Sequence, residues 1–340
     1  MKKRVLVGML VGALALGLVG CGQKKETKET NKDQFKVAMI TSEGGLGDRS
    51  FNDSGNEGLK QAKEKLNVTT KVVEPGDVSE GETYLSQLAE SGMDLVITLD
   101  LGHSDVLKKV AKKYPDTQFA IFNTAVEGSN VSSVLFKEQE GSFLAGALSA
   151  LVTQDTSLEQ VNDKKIISFI GGIDSPGINI FLSGFKEGAS HIDPEIKVLS
   201  GYTNSFADPA KGKETALSQI GQGSDIVFQA AGATGDGVIQ AAKQKNVFAI
   251  GVDSDQDGIA KGNVLTSVMK RVDNAVYGLV EDGMKKEYQT TYELGLKEKG
   301  VELSPMTYTK DLISEDYLKQ IEGLREQIIS GEIKVKDIRK

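Results

Sequence analysis

From Lys36 onward, short apolar runs alternate with stretches in which apolar residues recur every three or four positions. Lys36-Val-Ala-Met-Ile-Thr41 is of the first kind, and Leu59, Ala62 and Leu66 mark one face of the second. A strand, a glycine-rich loop (Gly44 to Gly58) and a helix follow from this spacing. The rhythm continues with strands expected at Val68–Glu74, Asp94–Asp100, Gln118–Asn123 and Val131–Lys137, and helices at Ser79–Glu90 and about Ser104–Lys113. Asp94-Leu-Val-Ile-Thr-Leu-Asp100 is apolar between its ends, as a parallel strand buried on both faces must be. Together these make a doubly wound sheet.

A helix over Glu138–Leu151 breaks the pattern, because Gly141, Ser142, Ala145, Gly146, Ala147, Ser149 and Ala150 put small residues on several of its faces. Such a helix approaches its neighbours closely, and it marks the first passage into a second lobe. The rhythm then restarts. Strands are expected at Ile166–Gly171, Ile196–Tyr202, Asp225–Gln229 and Val247–Asp253, with helices at Ile178–Ala189, Pro209–Ile220 and Gly237–Lys245. After a strand at Val264–Lys270 come a helix at Asp273–Met284, a strand at Thr290–Leu296 and a last helix near Glu315–Ile329, a tail that crosses between lobes. The expected fold is therefore α/β, with two Rossmann-like doubly wound lobes joined by several hinge crossings, a type I periplasmic-binding-protein-like clamshell. Lobe 1 comprises 35–137 plus about 270–300, and lobe 2 comprises 138–265 plus part of about 301–340.

The first residues read as an address. Lys2, Lys3 and Arg4 precede an apolar Val5–Val19 too short for a stable membrane span, and Leu18-Val19-Gly20-Cys21 resembles a lipobox. Residues 1–20 are expected to be a lipoprotein signal peptide, with lipid on Cys21 and a tether over 21–34 to a domain on the outer face of the bacterial cytoplasmic membrane. Cys21 is the only cysteine, so no disulfide forms within the chain.

With 340 residues there is length for two domains. A formal net charge of -8 argues against a nucleic-acid partner.

Catalytic chemistry is poorly supplied. The two histidines, His103 and His191, fall in different halves, and neither a Gly-x-Ser-x-Gly elbow nor a phosphate-binding glycine motif is present. His103 reads as a surface residue capping a helix. Asp253-Ser-Asp255-Gln-Asp257-Gly258 matches the first half of a calcium loop, but Val264 stands where the bidentate Glu belongs. No metal, no cofactor and no enzymatic role are expected. Asp253 instead ends an apolar strand, where a carboxylate either accepts from two vicinal hydroxyls or serves as a plain helix cap after the strand. Ser50 and Asp53 have the capping-box spacing at the start of the first helix. Phe51 and Asn52 there either face a ligand beyond the strand's carboxyl end or serve as staple and cap.

Six segments carry a resemblance: Gly44-Gly-Leu-Gly-Asp-Arg-Ser-Phe-Asn52, Glu140-Gly-Ser-Phe-Leu-Ala-Gly146, Gly171-Gly-Ile-Asp-Ser-Pro176, Ala230-Ala-Gly-Ala-Thr-Gly235, Gly251-Val-Asp-Ser-Asp-Gln256 and Ser267-Val-Met-Lys270. In this order they resemble the basic membrane protein family, the nucleoside-binding lipoproteins of ABC transporters. The resemblance implies that Phe51 and Phe206 sandwich a purine and that Asn52 bonds its edge. It also implies that Asp253 and Lys270 hold the ribose, and that ABC permease subunits receive the ligand. Asn123 departs from the family's usual aspartate, which leaves the preferred base open. Backbone near Gly232 is expected to approach the ligand, since a Cβ there would keep it away. A sugar-binding lipoprotein of the same fold and a calcium-dependent nucleoside hydrolase are the alternatives.

Overall fold

The computed structural model describes residues 34–340. The expected signal peptide over 1–20, Cys21 and the expected tether as far as Asp33 lie outside the described residues. Gln34, expected to end the tether, is already part of the fold, since its side chain bonds Asn67 and Thr69.

Two six-stranded sheets carry the molecule. The first is built from β1 (Lys36–Ile40), β2 (Thr69–Val73), β3 (Leu95–Thr98), β4 (Gln118–Phe122), β5 (Val131–Phe136) and β11 (Thr291–Leu294) in the order β2-β1-β3-β4-β5-β11, all parallel. The second holds β6 (Ile166–Gly171), β7 (Lys197–Tyr202), β8 (Ser224–Ala230), β9 (Phe248–Asp253), β10 (Val264–Lys270) and β12 (Val301–Leu303) in the order β7-β6-β8-β9-β10-β12. The first five of these run parallel, and β12 closes the edge antiparallel to β10. Sequence patterning missed β12, because three residues are too few for a period to register. The two sheets thus repeat one topology. The chain passes between them three times: after β5, after β10 and between β11 and β12.

Helices cover both faces. In lobe 1 these are α1 (Phe51–Leu66), α2 (Gly81–Glu90) and α3 (Ser104–Lys113), joined by α8 (Val272–Lys285), which packs on α1. In lobe 2 they are α4 (Glu138–Val152), α5 (Pro176–Ile192), α6 (Pro209–Gly221) and α7 (Gly235–Lys245), with α9 (Glu315–Ser330) against α4.

The small residues of α4 do what small residues allow. Every residue of α4 except Glu140 is buried, and its main partner is α5. A Cβ added at Gly188 of α5 would stand 1.9 Å from the Phe143 carbonyl oxygen, and one at Gly146 of α4 would stand 2.0 Å from that of Phe185. Backbone touches backbone in both directions, so a methyl group at either position forces the helices apart. The resulting core runs unbroken from β1 and α1 through α4 to β8 and β9.

Candidate functional site

The start of α1 is fixed by a residue that the capping-box reading passes over. Asp48, 2% exposed, accepts from the amides of Ser50, Asn52 and Asp53 at 2.9, 2.9 and 3.1 Å. Asp53 turns back to the amides of Gly47 and Arg49. The expected Ser50–Asp53 box therefore does not form. With its capping role taken over by Asp48, the Ser50 hydroxyl reaches into the other lobe and donates to Asp253 Oδ2 at 2.5 Å.

Between the carboxyl ends of the two sheets lies a cavity of about 570 Å³, within the size range of small-molecule sites. Phe51 and Asn123 line it from lobe 1, while Phe206, Gly232, Asp253 and Lys270 line it from lobe 2. Asn52 does not. It is 1% exposed, and its carboxamide oxygen accepts from the Ser42 amide at 2.9 Å and the Ser42 hydroxyl at 3.1 Å, which pins the end of β1 to α1. Its carboxamide nitrogen meets the Ser42 and Glu43 carbonyls at 3.5 and 3.4 Å, so Asn52 holds the loop and does not line the cavity, unlike the base contact expected of it.

Lys270 closes β10 and is 3% exposed. Its Nζ donates to Asn123 Oδ1 at 2.6 Å and to Glu138 Oε1 at 2.8 Å, and it stands 5.2 and 4.9 Å from the ring centroids of Phe51 and Phe136. An ammonium has three donors. Two are spent on these partners, which leaves one for the cavity.

Asp253 ends β9 with a left-handed backbone, φ 65°, a conformation that Asp and Asn adopt more readily than other residues with a Cβ. Burial pushes its pKa up to about 6, against the opposing pull of Lys270 and the Ser50 hydroxyl. Asn123, just past β4, has φ 66°. Both side chains are turned off their strands by the same backbone step.

Phe206 sits on the loop before α6, whose N-cap Asp208 accepts from the amides of Ala210 and Lys211. Its ring lies against Gly172, where an added Cβ would come 2.3 Å from Cε1. Gly232 has φ 57°, and a Cβ there would meet the Phe206 carbonyl oxygen at 3.2 Å and Cβ at 3.4 Å. The glycine thus makes room for the Phe206 loop as well as lining the cavity.

Contacts across the cleft join the lobes. Glu43 Oε1 accepts from the Phe206 amide at 3.3 Å, Gln256 Nε2 donates to the Arg49 carbonyl at 2.9 Å, and Arg49 pairs with Asp236 at 3.5 Å. Gln256 and Asp257 belong to the segment that resembled half a calcium loop, but its carboxylates diverge. Asp253 faces Ser50, whereas Asp257 Oδ1 accepts from the hydroxyls of Ser267 and Ser304. Among the described residues no cluster of three His, Cys, Asp or Glu is arranged to hold a metal. His103 is neither a surface cap nor part of the cleft. It is fully buried, with Nδ1 2.7 Å from the Thr98 hydroxyl, and burial holds its pKa below the ordinary value.

Sequence reasoning missed Glu138 and Arg339, because neither stands in a recognisable motif. The one available signal was a pair of acids, Glu138 and Glu140, opening an otherwise apolar helix.

A family model described as ABC transporter substrate-binding protein, PnrA-like, matches residues 35–339. The chain is 33% identical to the CD4+ T-cell-stimulating antigen of Listeria innocua over 98% of this chain and 99% of that one. It is 31% identical to the ABC transporter nucleoside-binding protein BmpA of Lactococcus lactis, covering 92% of this chain and 94% of the relative. Among solved structures, an ABC transporter solute-binding protein from Aeropyrum pernix matches with a TM-score of 0.82 at 28% identity, covering 90% of this chain and 94% of the other.

Proposed function

The chain belongs to the PnrA-like family of ABC transporter substrate-binding proteins, and on that premise we propose that it captures nucleosides, purine nucleosides first, for an ABC importer. The observation that carries this reading is one cavity in which phenyl rings from opposite lobes, Phe51 and Phe206, accompany a buried carboxylate and an ammonium, Asp253 and Lys270. Stacking a base on an aromatic ring is worth about 1–3 kcal/mol. A carboxylate is an acceptor-only group suited to a pair of vicinal hydroxyls. Neither half of that chemistry alone selects a nucleoside; both together do.

Capture then proceeds by closure. A nucleoside entering the open cleft meets Phe51 and Asn123 on lobe 1, and the contacts to Phe206, Asp253 and Lys270 complete only as the lobes approach. Binding energy thereby favours the closed form, which is the form presented to the permease. The protein does this from the outer face of the cytoplasmic membrane, held by lipid on Cys21.

Calorimetry with guanosine, inosine, adenosine, the free bases and ribose tests the reading. A nucleoside is expected to bind far more tightly than either of its parts. Ribose binding as tightly as the nucleoside would establish the sugar-binding alternative, and free base accumulating during incubation would establish the hydrolase.

A further inference from the structure

Beneath the cleft, one buried carboxylate joins the cavity to the end of the chain. Glu138 opens α4 at the first crossing and is 1% exposed. Its two oxygens hold two cations. Oε1 accepts from Lys270 Nζ at 2.8 Å, and Oε2 accepts from Arg339 Nη1 at 2.9 Å. Arg339 Nη2 also donates to the carbonyl of Phe136, the last residue of β5, at 2.7 Å, and Asp337 takes the Nε donor at 3.0 Å. On either side of this fork the Lys336 amide bonds Glu187 of α5, and Lys340 pairs with Glu293 of β11. The last ten residues thus leave α9 in lobe 2 and finish on two strands of lobe 1.

We propose that Arg339 is a positioning residue for the ligand cleft: by gripping the far oxygen of Glu138 it fixes the near one, and with it the ammonium of Lys270. The proposal rests on the function proposed above, in which Lys270 meets the ligand. The physical reason is the difference between the two cations. A lysine ammonium is a compact charge on a flexible stem that points wherever its acceptors are, whereas a guanidinium is a rigid planar fork. Arg339 spans Glu138 and the Phe136 carbonyl at once, so Glu138 is referenced to the backbone of lobe 1 although it belongs to a helix of lobe 2. Removing the fork leaves a buried carboxylate with a single cation. Its far oxygen then has no donor and the carboxylate is under-compensated, so nothing but Lys270 sets its orientation.

The test uses the full chain with Arg339→Gln, Arg339→Lys and, as a control on the exposed pair with Glu293, Lys340→Ala. Two quantities are read: nucleoside affinity by calorimetry, and the titration of the Asp253 carboxyl by carbon-13 NMR without ligand. Asp253 lies in the field of Lys270, Glu138 and Asp48, with the Ser50 hydroxyl bonded to it. Arg339→Gln is expected to weaken nucleoside binding roughly tenfold, the worth of about one charged hydrogen bond. It is also expected to move the Asp253 midpoint upward, because a Glu138 no longer shared with Arg339 neutralises Lys270 more completely. Arg339→Lys keeps the charge but loses the fork, so it is expected to restore most of the Asp253 midpoint while leaving most of the binding loss in place, and Lys340→Ala to leave both as in the wild type. The inference is overturned if Arg339→Gln binds and titrates like the wild type, or if Arg339→Lys binds nucleoside as tightly as the wild type. If the wild type binds no nucleoside, the proposed function fails, and the ligand-free titration of Asp253 still decides the role of Arg339.

Discussion

β4 and β9 hold the same place in their sheets, fourth from the β2 and β7 edges, and each leads into a left-handed residue facing the cleft: Asn123 in one lobe, Asp253 in the other. The backbone device is shared, but the side chains differ by one functional group. Asn123 is a neutral amide with a donor and an acceptor, and it spends its oxygen on Lys270. Asp253 is an ionisable acceptor whose carboxyl is held by burial near pKa 6. A duplicated fold has therefore been given two unlike jaws. The lesson is that topology sets where a side chain is delivered, and the residue delivered there sets whether that jaw suits a base edge or a pair of hydroxyls.

The largest expected effect falls on the charged jaw. Asp253→Ala is expected to lower nucleoside affinity at least about 100-fold, since two charge-assisted hydrogen bonds worth about 1.5–3 kcal/mol each are lost. The protein should remain folded, because a carboxylate that resists ionisation in its native site does not stabilise the native state at neutral pH. Unchanged affinity in the calorimeter would remove Asp253 from the site.

The next effect is the pH dependence that only one jaw possesses. A ligand that donates two hydroxyls to Asp253 requires the ionised form, so affinity should be level above pH 7. It should fall by about tenfold per unit once the pH drops below the native midpoint near 6. Asp253→Asn should abolish the slope. Stability runs the other way. The raised native pKa lets the folded state keep a proton that the unfolded chain has released, so this group's contribution is present below the unfolded value and is lost as pH rises through about 6. Asp225, at the opposite end of lobe 2, is also raised to about 6 by burial, so Asp253→Asn should remove only part of the stability slope while removing all of the binding slope. A binding slope that survived the substitution would assign the titration to another group.

Making the two jaws alike sharpens the comparison further. Asn123→Asp gives lobe 1 an acceptor-only group beside Lys270, and it is expected to favour bases carrying a ring N–H, guanine and hypoxanthine, over adenine by roughly tenfold. A uniform change for all three nucleosides would mean that this jaw does not read the base. The smallest effect is expected outside the comparison, at Asn52. Its bonds to Ser42 hold the loop, so Asn52→Ala should cost about 1 kcal/mol of stability and weaken every nucleoside by the same small factor. A loss that depended on the base would return Asn52 to the ligand.

Much of the fold was legible because its signals are local. The apolar run from Leu95 to Leu99 reads as a buried parallel strand whatever surrounds it, and the small residues of α4 read as a helix meant for close packing. Parts of the cleft were legible for a related reason. A residue ending a buried strand, such as Asp253, is carried to the edge of the sheet by the strand itself, whereas Lys270 was expected there only through the family resemblance. Ser50 was misread, because a hydroxyl three residues before an acid is locally a cap. Nothing local says that Asp48 has already taken the amides and that a carboxylate 203 positions away is the acceptor. His103 was misread because burial of a polar ring depends on what packs over it, here α2 at Gly81.

The sequence by itself determined two doubly wound α/β lobes, and it did so through periods of two and of three to four residues that any neighbour-to-neighbour reading detects. Tertiary structure alone decided which polar groups meet: Ser50 with Asp253, Asn52 with Ser42, Glu138 between Lys270 and Arg339. Those meetings depend on how packed elements are set against one another, within a lobe for Asn52 and across the two for Ser50, and a hydrogen bond is made or missed over less than an ångström, a distance that no spacing along the chain encodes.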